Sequence, residues 1–355
     1  MTLDLWQKTL LMVFTTYLFV YFITPIIKKV SAHIGAVDIP DERKVHQVIM
    51  PRLGGLAIFL GFLFGFMLFG EPNTTMNAVL IASIVIILTG LIDDVKPLRP
   101  RYKLIGQVTA ALIIVFYGNL LIREINAFNL HLPFGLLSYP ITIFFIVGAI
   151  NCINLIDGLD GLAAGISSIF YLTIGIIAIM QNKTGLDFVL TFIMLGSTLG
   201  FLAHNFNPAT IFMGDSGSMF LGFIIAVISL LGFKNITVTS LIIPIFVLAI
   251  PIFDTLFAIL RRTLKGEKIS TPDKFHIHHQ LLNRNFSQRT TVLIIYLIDA
   301  IFAFASIVYI LNDKFLGYFV YTSLLIIVIV FVLTTNIIFD HDDFREKIKK
   351  HFFNK

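Results

Sequence analysis

Apolar residues fall in long runs from one end of the chain to the other, separated by short polar loops. The runs cover 10–27, 53–69, 76–92, 104–121, 139–156, 162–180, 187–202, 218–233, 238–260, 291–311 and 315–339. A helix needs about 20 mostly apolar residues to cross a hydrocarbon core of about 30 Å. The pattern therefore predicts an all-α, polytopic integral membrane bundle of about eleven transmembrane helices. Ten is the alternative count, and 187–202 and 218–233 are the shortest of the stretches. The first run is followed by Lys28 and Lys29 and lacks the short core and small-residue cleavage site of a signal peptide, so it is expected to remain as a span. No Pro/Ser/Gly-rich linker divides 1–355, which is expected to be a single membrane domain with a basic tail at 341–355.

Composition makes lipid the solvent: 57% of residues are hydrophobic, 13% are charged and mean hydropathy is +0.90. A soluble chain carries about 25% charged residues. Cys152 is the only cysteine, which excludes an intrachain disulfide and a multi-cysteine metal site. Of the 26 Lys and Arg, 21 lie in 28–52, 93–103, 261–290 and the tail. By the positive-inside rule these face the cytoplasm, the N-terminus lies outside and the C-terminus inside. The net charge of +5 then describes an inner rim facing anionic membrane lipid, and no nucleic-acid partner is needed.

Carboxylates on that basic side carry the candidate chemistry. Asp93-Asp94 closes the third span, Asp157 and Asp160 follow the fifth, Asp215 precedes the eighth and Asp254 lies within the ninth. Ionisable groups at membrane depth are costly and functional by default. Asp93 and Asp94 sit at a helix C-terminus, where the macrodipole is already negative, so they need a cation: Lys96, Arg99, Arg101, Lys103 or a metal. Asn151, Asn154, Asp157 and Asp160 recur every third position and would share a helical face. A packing seam uses such residues too, but four oxygen-bearing side chains beside Gly158 and Gly161 favour a metal or phosphate site.

Gly214-Asp215-Ser216-Gly217-Ser218 feeds a helix N-terminus, which offers N–H groups to an anion and a carboxylate to a hard cation. Its plainer reading is an N-cap supplied by Ser216 or Ser218. Thr271-Pro272 predicts a helix start, after which His276, His279 and Gln280 share one face and Ile277 and Leu281 another. That is an amphipathic interfacial segment whose histidines suit phosphate. Arg43, Lys44 and His46, with Gly54-Gly55, suit a diphosphate and equally a positive-inside stop signal. There is no Gly-Lys dipeptide and hence no Walker A loop, and no His-Glu-x-x-His zinc motif. A transporter would hold its polar groups near the midplane, whereas here they crowd one interface.

In order and spacing, Arg43-Lys44-x-His46 with Pro51-x-x-Gly54-Gly55, Asp93-Asp94, Lys103, Asn151-x-x-Asn154-x-x-Asp157-Gly-x-Asp160-Gly161, Gly214-Asp215-Ser216-Gly217-Ser218 and His276-Ile-His278-His279 form one set. Over about residues 43–281 the set resembles the polyprenyl-phosphate N-acetylhexosamine-1-phosphate transferase family. The His-Ile-His-His form is similar to the branch using UDP-N-acetylglucosamine. It differs from the three adjacent histidines followed by Phe-Glu of the phospho-N-acetylmuramoyl-pentapeptide transferase branch. Asp157-Gly158 continues as Leu-Asp-Gly, unlike the core of CDP-alcohol phosphotransferases.

The resemblance implies transfer of N-acetylglucosamine-1-phosphate from UDP-GlcNAc to undecaprenyl phosphate, with release of UMP, at the cytoplasmic face of a bacterial inner membrane. It implies Mg²⁺, with Mn²⁺ as substitute, at Asn154 and Asp215. It places Lys103 on phosphates, Asp157 and Asp160 on the uridine-diphosphate side, and Arg43, Lys44, His46, Asn151, His276 and His278 among substrate-binding residues. Asp93, Asp94 and His279 are the expected catalytic groups, with Asp94 holding Lys103 or the metal shell. The pathway expected first is wall teichoic acid, with O-antigen or common-antigen initiation as alternatives, and a homodimer is allowed. Pro244 and Pro251 can bend the ninth span, the expected wall of a prenyl groove.

Overall fold

The computed structural model describes residues 4–40, 48–127, 130–232, 244–245, 247–264, 266, 276–310, 319–320, 322–324 and 326. Arg43, Lys44, His46, Thr271-Pro272, most of 315–339 and the tail 341–355 lie outside them.

Helices dominate. Leu5–His33 (α1) starts on a capping box between Asp4 and Gln7. Gly54–Phe69 (α2) follows, and then Thr74–Val95 (α3), where the Asn73 side chain accepts from the Met76 N–H at 2.8 Å. Pro100–Leu112 (α4) has Pro in its first turn, where no donor is lost, and is prolonged by a π turn over Ile113–Tyr117. Ser138–Ile156 (α5), Leu162–Met180 (α6), Leu186–Asn205 (α7), Gly214–Gly232 (α8), Ala249–Leu264 (α9), Ile277–Asn283 (α10) and Gln288–Ile310 (α11) complete the set. Seven described helices, α1, α3, α5, α6, α7, α8 and α11, are long and apolar enough to cross a membrane, and α2 is a shorter apolar helix. The chain is a helical membrane protein.

Two short antiparallel pairs depart from an all-α chain. Val37–Asp38 (β1) pairs with Met50–Pro51 (β2), and Glu124–Ala127 (β3) with Leu130–Pro133 (β4). The first pair, two residues a strand, is too short to register as a periodic strand pattern in sequence, and the second, four a strand, is at the lower limit. A second difference matters more for the site. Helix α8 opens at Gly214 rather than at 218, so Asp215 belongs to its first turn.

Helix α8 is the centre of the bundle. It packs against α2, α3 and α5 and is buried along almost its whole length. Small residues bring the backbones together. A Cβ built on Gly55 would lie 2.0 Å from the Gly217 backbone nitrogen, and one on Gly90 would lie 2.3 Å from the Ser216 Cα. Polar contacts then gather the C-terminal ends of α1, α3, α5 and α7 and the N-terminal ends of α2, α4, α6 and α8 at one end of the bundle. Examples are the Arg52 N–H to Ser31 Oγ (3.2 Å), Asn154 to Ser218 (2.8 Å) and the Gly161 N–H to Asn205 (3.1 Å).

Backbone cannot yield as a side chain can, so Gly55→Ala is expected to cost about 1–3 kcal/mol by overpacking. Gly148, with nothing within 4 Å of its Cβ position, is the control: Gly148→Ala should be neutral or gain up to ~1 kcal/mol of helix propensity. Thermal unfolding of the detergent-solubilised variants checks both, and an unchanged midpoint for Gly55→Ala would remove the close crossing from the account.

Candidate active site

The site begins where α3 meets α8. Asp94, with a fully buried side chain, accepts from the Asp215 N–H (2.8 Å), the Ser216 N–H (3.1 Å) and the Ser216 hydroxyl (2.6 Å). It therefore caps α8 from another helix, and the expected local cap by Ser216 or Ser218 is not what forms. Ser216 is a donor to Asp94, and Ser218 donates to the Gly214 carbonyl at 3.1 Å. Arg52 lies 3.2 Å from Asp94 and 3.6 Å from Asp215. Gly214 has φ +72°, and a Cβ there would lie 2.1 Å from the Arg52 carbonyl. A glycine is what lets the turn pass.

Asp93 points elsewhere. It accepts from the Leu98 N–H at 2.7 Å and pairs with the Lys103 ammonium at 2.8 Å, and Lys103 also bonds Asp215. Lys103 thus bridges Asp93 and Asp215, and of the two partners expected for Asp94, Lys103 or a metal shell, it is not Lys103. Asp93, Asp94 and Asp215 each bring a carboxylate oxygen within 4.8 Å of the others. Asn154 gives its amide nitrogen to Ser218, which leaves its Oδ1 for a ligand. A hard divalent cation prefers such carboxylate and amide oxygens, completed by water and phosphate. The donor set fits.

A cavity of about 590 Å³ opens beside this cluster, lined among others by Arg52, Asn154, Asp157, Asp160, Asp215 and His279. Asp157 and Asp160 do not share a helical face with Asn151 and Asn154, because α5 ends at Ile156 and Gly161 turns left-handed at φ +79°. Partial removal from water, with Asp215 and Asp94 nearby, raises the Asp157 pKa above the ordinary carboxylate range. Asp160 is fixed by Asn207 (2.9 Å) and the Ala209 N–H (3.1 Å), and Asn207 also reaches Gln288 at 3.1 Å. Asn151 is turned between helices, donating to Gln107 and to the Val147 carbonyl, both at 2.8 Å.

The histidines divide. His276 and His278 are buried, and of the three only His279 lines the cavity. The expected water-and-lipid face therefore gives way to an inward-packed segment. His278 covers the break after α5, its Nε2 lying 2.7 Å from where a Gly158 Cβ would be. Burial, with His279 beside it, pushes the His278 pKa down to about 3.

The glycosyl transferase family 4 profile matches residues 76–233, which hold Asp93 through Asp215. A Bacillus subtilis protein named probable undecaprenyl-phosphate N-acetylglucosaminyl 1-phosphate transferase is 47% identical, over 81% of each chain. A Mycobacterium tuberculosis decaprenyl-phosphate N-acetylglucosaminephosphotransferase is 37% identical over 82% of this chain and 80% of its own. The undecaprenyl-phosphate alpha-N-acetylglucosaminyl 1-phosphate transferase of Escherichia coli K12 is 30% identical over 82% and 79%. This chain belongs to glycosyl transferase family 4.

In this family 4 chain the structure joins Asp93, Lys103 and Asp215 directly, and Asn154, Asp157, Asp160, Asp215 and His279 around one cavity. Asn151, His276 and His278 sit behind that wall. Gln107 adds a contact that sequence reasoning did not single out. Arg52 was legible as a basic residue beside Gly54-Gly55 that suits a diphosphate, but its ion pairs with Asp94 and Asp215 were not.

The His278 shift sets a pH dependence. The unfolded chain takes up this proton near pH ~6.5, the folded one only near 3, so stability is lost as pH falls below about 6.5. His278→Gln should flatten the loss of thermal midpoint between about pH 7 and pH 5 relative to wild type. Parallel slopes would mean that His278 is not held neutral.

Proposed function

We propose that this chain transfers N-acetylglucosamine-1-phosphate from UDP-GlcNAc to undecaprenyl phosphate, releasing UMP. The observation that carries the proposal is the carboxylate–lysine–arginine cluster of Asp93, Asp94, Asp215, Lys103 and Arg52 beside a polar cavity at one end of an apolar bundle. The relatives' names supply the chemistry such a cluster would serve.

An oxygen of the lipid phosphate attacks the sugar-bearing phosphorus, the bond to UMP breaks, and the leaving phosphate keeps the electron pair. Bound Mg²⁺, for which Mn²⁺ can substitute, would neutralise the diphosphate; Asp215 and Asn154 would hold it, with Asp93 and Asp94 close by. Lys103 and Arg52 add fixed positive charge, which phosphoryl transfer uses more than covalent help. The acceptor's second pKa is near ~6, so it is mostly a dianion at pH 7. Direct attack with Asp93 as orienting group follows, rather than an aspartyl-phosphate intermediate. His279, which also lines the cavity, would bond a donor phosphate.

The site end of the bundle carries the basic loops, which supports a cytoplasmic-facing site in a bacterial inner membrane. Eleven spans, an outside N-terminus, wall teichoic acid as the polymer served and a homodimer complete the proposal.

Asp215→Ala is expected to lower UMP release at least about a hundredfold, and to raise the Mg²⁺ needed for what remains. With UDP-GlcNAc and UDP-MurNAc-pentapeptide competing in one membrane preparation, only the first should label the lipid. A peptide-bearing lipid product would reassign the donor.

A further inference from the structure

Asp254 belongs to none of the groups above. It lies inside α9, ten residues before the end of that helix at Leu264, or about 15 Å along the axis. It is 3% exposed. A carboxylate so placed costs free energy unless each oxygen is used, and both are. Oδ2 is 2.8 Å from the His276 Nδ1, and Oδ1 accepts from the Ile277 N–H at 2.8 Å.

Those two contacts hold the start of α10. Seven residues are too few to form a stable helix unaided, so the place of α10 is set by its anchors. Asp254 fixes the first turn, and α11 packs along the helix. From His276 the order continues: its ring is stacked on His278 at 5.7 Å with 4° between planes, and His278 lies 4.3 Å from His279. His278 rests on Gly158, and His279 reaches the cavity. The bond also sets the tautomer of His276, since Nδ1–H must donate to the carboxylate.

We infer that Asp254 is a positioning residue that acts through His276 and α10 to hold His279 against the bound nucleotide-sugar diphosphate. It touches no substrate itself. This rests on the function proposed above, in which His279 bonds a donor phosphate.

The test is a double-mutant cycle read in KM. Asp254→Ala should raise the KM for UDP-GlcNAc about tenfold, one oriented bond's worth, while the KM for undecaprenyl phosphate stays within about twofold. His279→Ala should raise the donor KM by a similar factor. The combined variant should be no worse than His279→Ala alone, because Asp254 then has nothing left to position. Asp254→Asn keeps an oxygen for the Ile277 N–H and should fall between Asp254→Ala and wild type, which also covers the case in which the alanine variant fails to fold. Multiplying effects in the double variant, equal rises in both KM values, or a donor KM unmoved in Asp254→Ala and Asp254→Asn would each overturn the inference. Wild-type turnover of UDP-GlcNAc separates the two claims. Its absence would count against the function itself, whereas multiplying effects with wild-type turnover intact would count only against the relay.

Discussion

The bond between Asp94 and the first turn of α8 is the constraint on which the rest depends. A carboxylate at the end of α3 faces the negative end of its own helix dipole, an unfavourable place for an anion. The N-terminus of α8 reverses that balance by bringing free N–H groups and positive dipole to the same point, with Arg52 beside them. The buried carboxylate and the unsatisfied N–H groups at the start of α8 satisfy one another. Gly55 and Gly90 are what let α8 come close enough.

Function follows from where this leaves Asp215. Its own amide capped, Asp215 is held at the cavity wall, bonded to Lys103, with Asp93 also on that ammonium. The adjacent aspartates thus divide their work. Asp94 shapes the turn, while Asp93 and Asp215 share a cation and lie close enough together for a second, divalent one. Preorganised charge of this kind is what a phosphoryl transfer asks of a protein, since positioning and charge stabilisation supply nearly all of the acceleration.

Local features were legible in the sequence. The sixth apolar run, 162–180, is the helix Leu162–Met180, because apolar length alone defines a span. The need of Asp93-Asp94 for a cation was legible from their place at a helix end, and Lys103 was among the candidates named. What could not be read was pairing at a distance. Asp94 and Asp215 are 121 residues apart, and no periodicity announces that one caps the other's helix. For the same reason the partner of Asn151, Gln107 of another helix, could not be read. His276 looked exposed because its partner, Asp254, lies 22 residues earlier inside an apolar run, and His278 because it packs on Gly158, more than a hundred residues earlier.

Hydrogen–deuterium exchange at the start of α8 tests the central constraint most directly. Among the described residues the Asp215 and Ser216 amides donate to Asp94. In detergent-solubilised protein, Asp94→Ala should speed exchange in a peptide spanning 213–219, and Asp93→Ala, whose backbone partner is Leu98, should leave it protected. Equal protection in wild type and Asp94→Ala would contradict the account, because α8 would then keep its first turn without the carboxylate said to hold it.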